Sequence, residues 1–229
     1  QSSFQLYFKN FRFFISYVGW ILAPIAIVLV LSTVIGGVTI TIIDVLLNVV
    51  VYSVIMIWLS VVFIKATPQL IADQTIKTRK LNQEAWRLIV PFALASTLAG
   101  LITVGGYLLL IIPGIIFSVW FAFSATMVVL EKIGITESIG ASKALVAGRF
   151  WKVLWRLLTG GIIIAIIYLL LLLIITLIYS TLSGVDLIML MSATPTYPQD
   201  VLNRIVEMLI IPVSAVYQVL LYLEVKRTK

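Results

Sequence analysis

The ionisable side chains of this sequence offer little catalytic chemistry. The chain contains no His and no Cys, which excludes thiol nucleophiles, Ser-His-Asp triads and metal sites built from imidazole or thiolate ligands. Chemistry by paired aspartates needs two carboxyl groups that face each other, and Asp44 is the only Asp inside a long apolar segment. We therefore predict that the protein is not an enzyme and uses no metal and no cofactor.

Four polar residues inside the apolar segments are the remaining candidates for a site, because polar groups are costly in a membrane and are usually functional there. Asp44 and Asn48 are one helical turn apart, as are Arg204 and Glu207. We hypothesise that the four side chains converge on one polar site in the outer leaflet, suited to a lipid headgroup or a coupling proton. In the alternative reading, Asp44 reaches the headgroups and Arg204 and Glu207 form a structural salt bridge.

A second candidate is a cluster of three cations, Lys77, Arg79 and Lys80. Basic residues at the cytoplasmic surface attract anionic lipids, each contributing about 1 kcal/mol. The cluster is therefore a candidate contact for anionic lipid. Membrane topology alone would also explain it, because cytoplasmic loops are rich in Lys and Arg.

The composition predicts the elements that carry these residues. The chain is 62% hydrophobic and only 11% charged, with a mean hydropathy of +1.18, well outside the range of soluble domains. Apolar runs of about 20 residues are long enough to cross a membrane as helices. We predict an all-α fold, a polytopic membrane helix bundle in which residues 1–229 form one transmembrane domain. About six helices in three hairpins would span the membrane at 13–36, 38–64, 88–112, 115–130, 157–182 and 201–223.

The distribution of charge predicts the orientation. Lys and Arg residues cluster before the first span, between the second and third, between the fourth and fifth, and after the last. By the positive-inside rule these segments, and therefore both termini, are cytoplasmic. Residues 136–151 are too polar to span and predict a short helix at the cytoplasmic surface, with Thr136 as its N-cap. Small residues at 140, 144 and 148 predict a face that another backbone could approach closely.

Residues 111–154 contain a proline–glycine pair at an expected outer turn, an acidic residue, a serine and a glycine–arginine pair, at Pro113, Gly114, Glu131, Ser142, Gly148 and Arg149. With these residues the segment resembles the signature of the YciC-like bacterial inner-membrane proteins and of the related membrane domain of glycerophosphodiester phosphodiesterases. The resemblance implies a six-helix fold in the bacterial cytoplasmic membrane and gives little information about activity.

Three functions fit these features. The first is a noncatalytic envelope protein that binds or organises lipids or a protein partner. The others are a transporter or flippase for a lipid-like or amphiphilic molecule, and a membrane anchor for a separately encoded enzyme. Membrane lipids are the expected partners, and a protein partner or a second copy of the chain stays open. Nucleic acid is not expected, because the net charge of +7 is spread along the membrane edges and does not form one basic surface.

Overall fold

The computed structural model describes residues 3–32, 43, 46–186 and 197–228, and in this part the chain consists of helices joined by short non-helical links. The prediction of an all-α fold is confirmed for these residues. A 3-10 turn, Gly19–Leu22, joins the second and third helices, and a π-helical turn, Leu47–Val51, precedes the fourth. The ten α-helices in the described residues are α1 Ser3–Lys9, α2 Phe11–Val18, α3 Ala23–Ser32, α4 Tyr52–Ile71, α5 Thr78–Leu109, α6 Ile111–Trp120, α7 Ser124–Glu131, α8 Ile135–Val146, α9 Phe150–Ser183 and α10 Tyr197–Arg227.

Five helical segments of the described chain are long and apolar enough to cross a membrane. They are Val49–Ile71, Thr78–Leu109, Ile111–Glu131, Phe150–Ser183 and Val201–Arg227. The protein is a multi-pass membrane protein. The first predicted span, 13–36, is helical from its start to Ser32, and its last four residues lie outside the described residues. Most of the beginning of the span predicted at 38–64 also lies outside them.

Two of the observed helices differ in their bounds from the predicted spans. Helix α5 begins at Thr78, ten residues before the span predicted at 88–112, because Leu81 and Ala85 are buried and give this polar first part a packed face. The turn that follows lies at Leu110, whose extended backbone separates α5 from α6. Pro113, expected in the turn, lies instead in the first turn of α6, where its missing N–H has no helical partner to lose.

The chain divides into two compact units. The first unit comprises Gln1–Asn10, Ile57–Gly161 and Ser214–Lys229, and the second comprises Phe11–Met56 and Ile162–Val213. In the first unit, α4 is buried on several faces from Leu59 to Leu70. A second buried cluster joins α6, α7, α8, the start of α9 and the end of α10, through Val119, Phe123, Met127, Leu145, Val146, Val153, Leu221, Tyr222 and Val225.

The short helix expected near residues 136–151 is present as α8. Its N-cap is Gly134, so the assignment of Thr136 as the cap was wrong. The Glu137 side chain accepts a hydrogen bond from the Gly134 N–H at 3.4 Å, and this carboxylate near the helix N-terminus sets the start of the helix. The three small residues at 140, 144 and 148 do not share one helical face, because α8 ends at Val146 and Gly148 lies beyond it. In the described chain a Cβ at Gly140 or Gly148 would have no neighbour within 4 Å, so the close approach of another backbone to this region stays a prediction.

Candidate functional site

The residues that carry the family resemblance take part in packing within the first unit. Ser142 on α8 is fully buried. Its Oγ donates to the carbonyl oxygen of Trp120 at 2.7 Å and accepts from the backbone N–H of Phe123 at 3.2 Å. These two bonds satisfy backbone groups at the break between α6 and α7, where the helical pattern is interrupted. Ser142 therefore fastens α8 to that break.

Glu131, at the end of α7, binds the last helix. Its carboxylate accepts hydrogen bonds from the Tyr222 hydroxyl and from Lys226 Nζ, the latter at 2.8 Å. Tyr222 is buried and its ring also contacts the ring of Phe123, with 5.8 Å between the centroids. One carboxylate thus holds two donors of α10 against α7.

Gly148 and Arg149 form the link between α8 and α9. Gly148 has a φ of +79°, a left-handed conformation that favours glycine. The Arg149 guanidinium that follows donates to the carbonyl oxygen of Val225 at 2.9 Å, to Thr228 Oγ1 at 3.1 Å and to the Thr228 carbonyl oxygen. This side chain caps the carbonyl groups at the end of α10, which the helix itself leaves without partners.

The Pro113–Gly114 pair lies where α5 and α6 pack most closely. Gly114 is buried beneath the ring of Tyr107. A Cβ at Gly106 would lie 3.1 Å from the Gly114 Cα and 2.7 Å from Phe117 Cδ2, whereas a Cβ at Gly105 would meet nothing within 4 Å. Within the described part of the chain, Gly106 is therefore the glycine of this helix that permits close helix contact.

A comparison with protein-family models, with curated proteins and with solved structures found no match to this chain. The resemblance to the YciC-like proteins therefore stays a prediction. The structure assigns packing and capping contacts to the residues that carry it.

Arg204 and Glu207, in the first half of the last helix, lie in the second unit. Arg204 and Glu207 form the ion pair that their spacing predicted, with 3.3 Å between Arg204 Nη1 and Glu207 Oε2. Tyr52 completes the group, because its hydroxyl donates to the same Glu207 oxygen at 2.6 Å and the Arg204 Cζ lies 3.7 Å from the centre of its ring. We call Tyr52, Arg204 and Glu207 the tyrosine–ion-pair cluster.

The proposed convergence of four residues on this site stays a hypothesis. Asp44 lies outside the described residues, and for Asn48 only the backbone, within the π-helical turn, is described. Sequence reasoning did not include Tyr52, although a Tyr within an apolar segment is a recognisable signal, since a buried hydroxyl needs a partner.

The cationic cluster stands at the start of α5. Lys77 is the N-cap residue, and Arg79 and Lys80 lie in the first helical turn, with all three side chains exposed. Lys80 is 4.0 Å from Glu84, whose carboxylate is bound more closely by Lys65 of α4. For Lys77 and Arg79, the described part of the chain places no carboxylate within 4.0 Å. Among those same residues, no group of three acidic side chains is arranged to hold a metal ion.

Proposed function

We propose that this chain is a noncatalytic protein of the bacterial cytoplasmic membrane that binds and organises anionic lipids through Lys77, Arg79 and Lys80. The observation that carries the proposal is the position of these three exposed cations at the N-terminal end of α5. The helix dipole places partial positive charge at that end, and the three cations add to it. A bound anion would relieve the repulsion between these positive charges and stabilise the N-terminal end of α5.

The segment that follows the three cations supports a lipid as the source of the anion. Residues 88–130, directly after the basic part of α5, contain no charged residue and favour hydrocarbon. Trp86 is 56% exposed beside Arg87, and exposed Trp beside a cation is typical of the headgroup region. The three cations precede Trp86 by six to nine residues, so their long side chains would approach the headgroups from the cytoplasmic side.

The proposal is tested by measuring lipid retention. The purified protein in nanodiscs of mixed phosphatidylglycerol and phosphatidylethanolamine is released for native mass spectrometry. We expect several phosphatidylglycerol molecules to stay bound, and the triple variant Lys77→Gln, Arg79→Gln, Lys80→Gln to retain fewer of them. The loss should be largest at low salt, since the attraction is electrostatic.

A matched variant controls for net charge. Lys132, Lys152 and Arg227 are also exposed, and their triple replacement by Gln removes the same number of positive charges elsewhere on the first unit. If both triple variants lose phosphatidylglycerol to the same extent, binding depends on overall charge and the proposed site is wrong. If neither loses it, the cations do not hold the lipid.

The tyrosine–ion-pair cluster favours a second candidate, a flippase or transporter of an amphiphile. The Arg204 side chain is 19% exposed and the Glu207 side chain 29%, which makes a small accessible polar surface on a helix long and apolar enough to span a membrane. In proteoliposomes, a flippase would expose fluorescent lipid of the inner leaflet to dithionite, and Glu207→Gln would slow that exposure. If the protein retains lipid but moves none between the leaflets, the lipid-binding function stands and the flippase function is excluded.

A further inference from the structure

The turn between α5 and α6 is apolar on all its surfaces. Leu110 is the one non-helical residue between the two helices. The five consecutive large side chains of the turn, Leu108 to Ile112, are between 68% and 83% exposed. Exposed turns of water-soluble segments are built from Gly, Pro, Asn, Asp and Ser, so this one does not suit water.

Leu110, the residue at the tip of the turn, has both of its backbone groups bonded within the chain. Its N–H donates to the Gly106 carbonyl oxygen at 3.0 Å, and the Gly114 N–H donates to its carbonyl oxygen at 3.3 Å. The nearest hydroxyl groups on either arm, those of Thr103 and Ser118, each donate to a carbonyl of their own helix at 2.8 Å. A residue whose backbone groups are bonded within the chain can lie in hydrocarbon without losing hydrogen bonds to water.

The shorter arm of the hairpin limits how far the turn can reach. On this arm, Lys143 Nζ lies 4.3 Å from the centre of the Trp120 ring, which marks a polar level only the length of α6, about 15 Å, from the turn. On the other arm, Leu110 follows Arg87, the last charged residue of α5, by 23 residues, or about 34 Å at about 1.5 Å per residue. A hydrocarbon core is about 30 Å thick, so an upright α5 is long enough to cross it, whereas the α6 arm reaches only about half of it and keeps the turn inside.

We propose that this turn stays in the hydrocarbon of the membrane and that lipid acyl chains cover it, so that the α5–α6 hairpin enters and leaves on one side without a water-exposed loop on the other. Acyl chains fit better than a protein partner because the exposed side chains lie on both arms and at the tip, and only a fluid solvent covers all of these surfaces. The proposal does not depend on the cationic cluster, since it concerns the opposite end of the hairpin.

Single cysteines test the proposal directly, because the natural chain has none. We would place one cysteine at the tip, by Leu110→Cys or Leu109→Cys, in nanodiscs, where both faces of the bilayer are open to the solution. Thr78→Cys and Ser183→Cys, at exposed helix ends, serve as water-accessible controls. A membrane-impermeant maleimide should modify the tip cysteines at least tenfold more slowly than both controls, and all four at the same rate after unfolding in SDS.

A nitroxide on the same tip cysteines identifies what covers them. Frequent collisions with oxygen and rare collisions with a water-soluble nickel complex would support acyl chains. Rare collisions with both would show that protein covers the tip, and would overturn the proposal. A maleimide rate within tenfold of the controls would overturn it as well, because the turn would then be in water.

Discussion

The contact between Gly160 and Tyr217 gives the sharpest prediction about packing in the first unit. A Cβ added at the buried Gly160 of α9 would overlap the ring of Tyr217 on α10. The ring cannot move away cheaply, because its hydroxyl donates to the Arg156 carbonyl oxygen at 2.5 Å. The ion pair between Arg156 and Glu224 joins the same two helices. Gly160→Ala must therefore displace a helix or break these bonds.

The expected magnitude follows from a matched pair of variants. Gly160→Ala and Gly161→Ala change the same helix by the same methyl group, but among the residues that the structure describes a Cβ at Gly161 meets nothing within 4 Å. Both gain about 0.5–1 kcal/mol from helix propensity, and only Gly160→Ala incurs the cost of overpacking, about 1–3 kcal/mol. The difference between the two variants should therefore be about 1–3 kcal/mol, with Gly160→Ala the less stable.

The assay is reversible unfolding in mixed micelles of rising SDS content, followed by circular dichroism. In a Tyr217→Ala background the gap between the two alanine variants should disappear, because the overlapping ring is gone and the coupling between the sites is lost. Equal stabilities of Gly160→Ala and Gly161→Ala in the wild-type background would refute the reasoning, as would a gap that survives the removal of Tyr217.

Three further variants test other contacts. Ser142→Ala removes both hydrogen bonds at the break between α6 and α7, and we expect the free energy of unfolding to fall by about 1–3 kcal/mol in the same SDS titration. Ser142→Thr keeps the hydroxyl group and should lose less stability. Gly106→Ala should destabilise the hairpin relative to Gly105→Ala, which adds the same methyl group in open space; equal midpoints would contradict the packing. Arg149→Lys cannot reproduce the forked contacts of the guanidinium, so hydrogen exchange at the end of α10 should become faster, and unchanged exchange would show that the cap contributes nothing.

Hydropathy and charge spacing predicted the features that depend on local sequence. The long apolar helices follow from composition, since a run such as residues 161–180 has no charged residue to place in water. The pairing of Arg204 with Glu207 follows from the period of the helix. Tyr52 could not be placed by such reasoning, because it meets Glu207 across 155 residues of chain.

The errors arose where several local signals competed. Pro113 and Gly114 favoured a turn, yet a proline is also well accommodated in the first turn of a helix, and the turn formed at Leu110. Thr136 was a good cap by residue type, but Glu137 reaches back to the N–H of Gly134 and fixes the start there. The role of Ser142 depends on a tertiary contact with Trp120, which no spacing in the sequence indicates.

The central proposal is that the cations of this membrane protein lie on the cytoplasmic side of the bilayer. The most direct measurement labels Thr78→Cys and Ser183→Cys in intact bacterial cells with a membrane-impermeant maleimide. We predict that Ser183→Cys is modified at once and that Thr78→Cys is modified only after the membrane is permeabilised. Modification of Thr78→Cys in intact cells would contradict the orientation and the cytoplasmic lipid site with it.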